Sequence, residues 1–173
     1  GCVSFMDLGP TLLHLAGISI PEGIEGTPFL GKDISLEQLN DRDEVYGYGD
    51  RFDELYAFNR TVRKGKFKYS RNFQPYHPKS LYAFYRYKQA AFREWKDLYV
   101  KGILNETQRR FFEPQGAEEL YDLSLDPYET KNLATDPAYR STLKDLRILL
   151  KEKLLEENDL GFYPECVWLE QGE

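Results

Sequence analysis

The stretch Gly116–Pro137, GAEELYDLSLDPYETKNLATDP, decides the fold. Glu119-Leu120-Tyr121-Asp122-Leu123 alternates apolar and polar residues around an aromatic, the pattern of a half-buried strand. Asp126 precedes Pro127 and stands three residues before Glu129, so a carboxylate, a fixed φ and an acid at the third position read as a helix start. Asp136-Pro137 repeats the device. After it Tyr139, Leu143, Leu146, Leu150 and Leu154 recur at helical spacing, which predicts a helix over 137–156 with one buried face.

Working outward, Glu44-Val45-Tyr46-Gly47-Tyr48 reads as a strand, followed by the charged loop Asp50-Arg51-Phe52-Asp53-Glu54. Leu55–Val62 and Phe67–Phe73 flank Arg63-Lys64-Gly65-Lys66, and Gly65 suits the positive φ of a hairpin turn. In the second arm Phe67, Tyr69, Arg71 and Phe73 share one face and Lys66, Lys68, Ser70 and Asn72 the other. Leu81, Tyr82, Tyr85, Ala91, Phe92, Trp95, Leu98 and Tyr99 predict one aromatic helix over 81–100, and Asn105 caps a short helix through Phe112. Near the start, Asp7 stands ahead of a helix over 10–16 that Gly17 ends. The Gly- and Pro-rich run Ile20–Asp33 is a loop, Leu36–Leu39 a short helical segment, and a domain boundary falls near Asp43. Strands near 44–48, 55–62, 67–73 and 118–123 with these helices make the fold α+β.

Composition narrows the function classes. The 173 residues are 41% hydrophobic and 15% aromatic, enough for a real core built largely from rings. A net charge of −6 argues against a general nucleic-acid binder, and no run approaches the ~18 apolar residues of a membrane span. Cys2 and Cys166 can pair or stay free, and spacing does not decide between them. His14 and His77 are solitary and read as packing or loop residues rather than ligands. Arg60, Arg63, Lys64, Lys66, Lys68 and Arg71 place six cations on the hairpin. They read either as a field that draws a sulfated or phosphorylated ligand, or as a solvated hairpin whose lysines discourage edge pairing. Asn59-Arg60-Thr61 and Asn105-Glu106-Thr107 are acceptor tripeptides for glycosylation, meaningful only in a eukaryotic secretory setting. The tail from Asn158 is expected to lie back in extended form, with Trp168 packed or near a partner surface.

Three motifs in order carry a family resemblance. Glu119-Leu120-Tyr121-Asp122-Leu123, Asp126-Pro127 with Glu129, and Asn132-Leu133-Ala134 are similar to the pattern near the C-terminus of sulfatases, including the heparan N-sulfatase (N-sulfoglucosamine sulfohydrolase) branch. Val3–Leu13, continued by Leu15-Ala16-Gly17-Ile18 and Pro21, resembles the segment that closes their large N-terminal domain. Asp50–Glu54, Arg60–Arg63 and Lys66–Asn72 supply the third match. The resemblance implies that residues 1–43 are the tail of an α/β catalytic domain with its linker. It implies that 44–173 form a small subdomain, a four-stranded antiparallel sheet with a long helix packed on it.

The family works with a formylglycine made in a Cys/Ser-x-Pro-x-Arg motif and with calcium held by carboxylates and an amide. Neither Cys2 nor Cys166 begins that motif, no Asp-Asp pair precedes an Asp-Asn dipeptide, and neither a Gly-x-Ser-x-Gly nor a Gly-rich phosphate loop occurs. The resemblance therefore implies a C-terminal portion, inactive alone, of a hydrolase whose formylglycine and calcium lie in an N-terminal part preceding Gly1. Its implied partners are that catalytic domain and a sulfated saccharide, and its implied location periplasmic, secreted or lysosomal. Arg51, Asp53 and Glu54 are the candidate substrate-binding residues, since a guanidinium pairs with an anion and carboxylates accept sugar hydroxyls. An interdomain salt-bridge cluster is the competing reading of the same three. An independent binding module for anionic glycans is the alternative function, and a dimerisation domain a third.

Overall fold

A computed structural model of the chain describes residues 1–163 and Val167; Cys166 and Trp168, with the expectations attached to them, lie outside the described residues. The fold is α+β, with a four-stranded antiparallel open sheet in the order β1-β2-β3-β4. The strands are β1 (Glu44–Phe52), β2 (Leu55–Lys64), β3 (Phe67–Asn72) and β4 (Glu118–Asp122). The helices are α1 (Leu8–Leu15), α2 (Leu36–Asn40), α3 (Phe84–Lys88), α4 (Ala90–Val100), α5 (Glu106–Arg109) and α6 (Arg140–Glu156). The chain divides into two compact units, one of Gly1–Val45 with Arg63–Gly65, the other of Tyr46–Val62 with Lys66–Glu173.

In the first unit Asp7 is buried and organises its surroundings. Its carboxylate accepts the Ser4 and Thr27 backbone N–H groups at 2.8 and 2.9 Å and pairs with the Arg42 guanidinium at 2.5 Å. Burial alone would push this carboxyl up, but those donors hold it below its usual range. Helix α1 ends as its glycine predicts. Gly17 takes φ 71, its N–H donates to His14 O, and the Ile18 N–H reaches Leu13 O, a Schellman closure. His14 Nε2 lies 2.7 Å from Asp33 Oδ1, so this histidine ties helix to loop.

The second unit is built on the Gly116–Pro137 stretch. Strand β4 pairs antiparallel with β3, with Tyr69 opposite Leu120 and Phe67 opposite Asp122. Asp136 accepts the Ala138 N–H and Pro137 opens a 3-10 turn that runs into α6. Leu143, Leu146 and Leu150 of α6 then bury against Val62, Tyr69, Leu120 and Leu133. Two expectations fail here. No helix starts at Asp126, because Glu129 adopts φ 55 and turns the chain. The single aromatic helix over 81–100 is broken at Gln89, whose extended backbone (φ −73, ψ 124) ends α3 and begins α4. The break folds Tyr87 back against Phe92, 5.0 Å between centroids, and aromatic packing outweighs helix continuity.

Arg60 is the least expected core residue. Its side chain is fully buried, and all of its N–H groups are used. Nη1 donates to Asp50 Oδ1 and to Asn59 O, both at 2.8 Å. Nη2 donates to Asp159 Oδ1 at 2.9 Å and to Asp50 Oδ2 at 3.4 Å, and Nε donates to Asp159 Oδ2. Tyr46 Oη donates to the same Asp159 oxygen at 2.7 Å. The Phe58 and Phe162 rings lie 5.0 and 5.4 Å from the guanidinium carbon. Gly161 leaves no spare room: a Cβ there would sit 1.9 Å from Arg60 Nη2.

Arg60→Met leaves Asp50 and Asp159 without the guanidinium that balances their charge and is expected to destabilise the second unit by about 3–5 kcal/mol in urea unfolding. Gly161→Ala should be destabilising too, since the pinned guanidinium cannot step aside. Burial alone would raise the Asp159 carboxyl, yet Arg60, Tyr46 and the Gly161 N–H hold it below its usual range; Glu118 is held low first by Arg147. Both carboxyls are lower in the folded chain than in the unfolded one, so their contribution is complete above the ordinary carboxylate range. It is lost as pH falls through it. The melting temperature should be flat from about pH 7 to 5 and drop below about pH 4, with a shallower acid limb in Asp159→Asn.

Candidate functional site

Arg51 is the penultimate residue of β1, and Asp53-Glu54 make the two-residue turn into β2, so the strand runs further than the expected 44–48 and absorbs Asp50, Arg51 and Phe52 of the charged loop. All three side chains are exposed at this tip, and Asp53 takes φ 50. Glu54 also braces the structure, because its Oε1 accepts the Phe84 N–H at 2.9 Å, at the start of α3. That hydrogen bond holds the Glu54 carboxyl below its usual range.

The hairpin cations do not make a free field. Lys66 pairs with Asp122 at 2.8 Å, Lys68 with Glu129 at 2.7 Å, Arg71 with Glu118 at 3.7 Å and Lys64 with Glu44 at 3.2 Å. Arg60 is buried, and Arg63 Nε donates to Gly65 O at 3.1 Å. Nor do lysines guard an edge, because β2 and β3 are the interior strands. Interior strands place cations opposite carboxylates of their neighbours, which neutralises both. The polar face of β3 is also covered: Ser70 and Asn72 are buried, Ser70 Oγ meets Thr61 Oγ1 at 2.7 Å, and Asn72 donates to Gly116 O at 2.7 Å.

A groove of about 640 Å³ lies within the second unit. Strand alternation explains its position. Leu120 points to the α6 core, so Glu119 and Tyr121 project to the opposite sheet face and line the groove. Trp95 of α4 stacks on Phe111 with centroids 4.7 Å apart, and both rings join the lining. Arg110 links the pieces. Nη2 donates to Tyr121 Oη at 2.9 Å, and Nη1 to the backbone oxygens of Thr130 and Glu129 at 2.6 and 3.3 Å. Tyr121 Oη in turn donates to Glu119 Oε1 at 3.2 Å. Burial, then the Glu119 charge, pushes the Tyr121 phenol up to about 12, so it stays a donor.

The turn that replaced the expected helix builds one wall. Asp126 accepts the Lys131 N–H at 2.7 Å and the Thr130 hydroxyl at 3.0 Å, and Tyr128 stands 86% exposed at the rim. None of these groove residues was singled out from the sequence as a site. Trp95 falls on the expected aromatic helix, Phe111 within the short helix through Phe112, and Asp126 to Glu129 in a cap; the only signal is the density of aromatics between Leu81 and Phe112. Among the described residues, no group of three or more His, Cys, Asp or Glu side chains could hold a metal ion. No described helix is long and apolar enough to cross a membrane.

No protein-family model matches the chain. Curated relatives do. An ulvan-active sulfatase of Formosa agariphila is 37% identical over 164 residues, which is 94% of this chain and 27% of that protein. A Delta 4,5-hexuronate-2-O-sulfatase of Bacteroides thetaiotaomicron is 30% identical over 157 residues, 89% of this chain and 24% of that protein. The chain thus spans about a quarter of the length of the curated relatives it matches. Among solved structures, a sulfatase from Bacteroides thetaiotaomicron aligns over 89% of this chain and 25% of its own, at 24% identity and a TM-score of 0.53. A protein solved with its substrate D-glucosamine-2-N,6-O-disulfate aligns over 91% of this chain and 25% of its own, at 18% identity and a TM-score of 0.54. The chain is similar in sequence to these sulfatases, and the two structures share its fold.

Asp126→Ala removes the acceptor that closes the Asp126–Lys131 turn. Hydrogen exchange at the Lys131 amide is expected to speed up, with the mid-helix amides of α6 unchanged.

Proposed function

We propose that this chain is the C-terminal portion of a sulfatase that removes sulfate from a sulfated polysaccharide. The observation that carries the reading is the 37% identity to an ulvan-active sulfatase along 94% of the chain. The activities of the relatives, on ulvan and on a hexuronate 2-O-sulfate, favour a sulfate ester on a uronate-bearing polysaccharide over the N-sulfate of the heparan N-sulfatase branch. A polymer of that kind is met outside the cytoplasm, in the periplasm or after secretion.

Formylglycine and calcium would, on this reading, be held by residues of the remainder of the protein, where they would supply the nucleophile and the charge neutralisation that sulfate hydrolysis requires. The donor set of this chain does not fit them: no Cys/Ser-x-Pro-x-Arg occurs, and the described residues offer no cluster for a metal ion. The chain's own contribution is to complete the fold against the catalytic domain and to border the cleft. Arg51, Asp53 and Glu54 are the residues assigned to the border. Glu54 is already engaged with α3, which would keep the tip in place as substrate arrives. Arg51 would pair with a sulfate or carboxylate through its planar fork.

The test is made on the full-length protein, with sulfate release from ulvan oligosaccharides as the readout. Arg51→Ala is expected to raise KM about tenfold while kcat and the melting temperature hold, the signature of lost substrate binding. A lowered melting temperature with unchanged KM would instead make the tip an interdomain docking cluster. Absence of any sulfate release by the unmodified protein would overturn the assignment.

A further inference from the structure

We propose that the groove between the sheet and the α4–α5 region is a saccharide-binding site that takes a hydroxyl-rich, unsulfated stretch of a glycan chain. Its volume, about 640 Å³, falls within the range of about 300–1,000 Å³ of small-ligand sites. Its floor carries a nearly buried carboxylate. Glu119 is only 9% exposed, and its Oε1 takes the Tyr121 hydroxyl at 3.2 Å. Its Oε2 has no protein hydrogen bond among the described residues and is open to the groove rather than sealed in the interior. Water therefore satisfies that oxygen in the free protein, and a sugar hydroxyl entering the groove can take the place of that water. Arg110 and Tyr121 fix its position from behind.

The aromatic content points the same way. Tyr128 is 86% exposed at the rim, and the Trp95–Phe111 stack lies within the lining. Rings with one apolar face and a polar edge suit the faces of pyranose rings. Charge then selects among glycans. The lining holds three cations, Lys79, Arg110 and Lys131, against four glutamates, Glu106, Glu113, Glu119 and Glu129. Glu113 is met by Arg109 and Glu129 by Lys68, while the Arg110 Nη groups are taken by protein oxygens. No strong positive potential remains to repay the desolvation of several sulfates, so a segment with few or none is preferred. The groove is separate from the Arg51–Glu54 tip, none of whose residues lines it. The site stands on this geometry, whether or not the parent protein hydrolyses sulfate.

The experiment is calorimetric titration of the full-length protein with unsulfated tetrasaccharides of ulvan, chondroitin and cellulose, alongside a sulfated ulvan tetrasaccharide. Tyr128→Ala and Glu119→Gln are titrated in parallel, and melting temperatures are recorded. At least one unsulfated tetrasaccharide is expected to bind, and each variant to weaken it about tenfold. The melting temperature of Tyr128→Ala should stay unchanged, because its ring is solvent-exposed. Binding that both variants weaken, in a protein that releases no sulfate, supports the groove and overturns the hydrolase reading. Sulfate release with no unsulfated tetrasaccharide bound, or with binding indifferent to both variants, overturns the groove.

Discussion

The buried guanidinium of Arg60 is the constraint on which the second unit rests. Three pieces of chain converge on it: Asp50 from β1, the Asn59 carbonyl beside it in β2, and Asp159 beyond the end of α6. Burying one arginine is costly unless every donor is met and the charge is balanced. Both conditions hold here, so the network fixes where the chain after α6 must lie. Gly161 follows from the same demand, since any side chain there would strike the guanidinium.

From that anchor the two sides of the sheet acquire different work. One face carries the apolar contact with α6, where Val62, Tyr69 and Leu120 meet Leu143, Leu146 and Leu150. The other carries polar pairs and the groove, through Ser70, Glu119 and Tyr121. The alternation of β4 assigns its side chains to these two roles at once. A fold that uses one sheet face for stability leaves the second available for recognition, and the aromatic residues from Trp95 to Phe112 supply the opposing wall.

Relatedness and local chemistry are complementary here. Similarity to an ulvan-active sulfatase runs over 94% of the chain, while the described residues supply no metal cluster of their own. The hairpin shows how charge counts mislead. Cations that stand together in sequence are dispersed among carboxylates of β4 and of the turn beyond it once the sheet forms, so a cluster in the chain is not a cluster on the surface.

Much was determined by sequence alone. The strand pattern at Glu119–Leu123, the Asp136-Pro137 start of the long helix, its leucine face and the Gly17 stop are all set by local stereochemistry and periodicity, and these emerge as read. The order of the three motifs likewise carries the resemblance to sulfatases, in line with the similarity to an ulvan-active sulfatase. Tertiary structure decided the rest. Asp126-Pro127 has the letters of a helix start, yet Glu129 turns the chain, because the carbonyls of Glu129 and Thr130 are claimed by Arg110, 19 and 20 residues away. Arg60 looked like a surface cation, and its burial depends on Asp159, 99 residues further on. The groove draws on β4, α4, α5 and the turn at Tyr128 together. Local rules act over a few residues, whereas a buried charge or a groove exists only where distant segments meet.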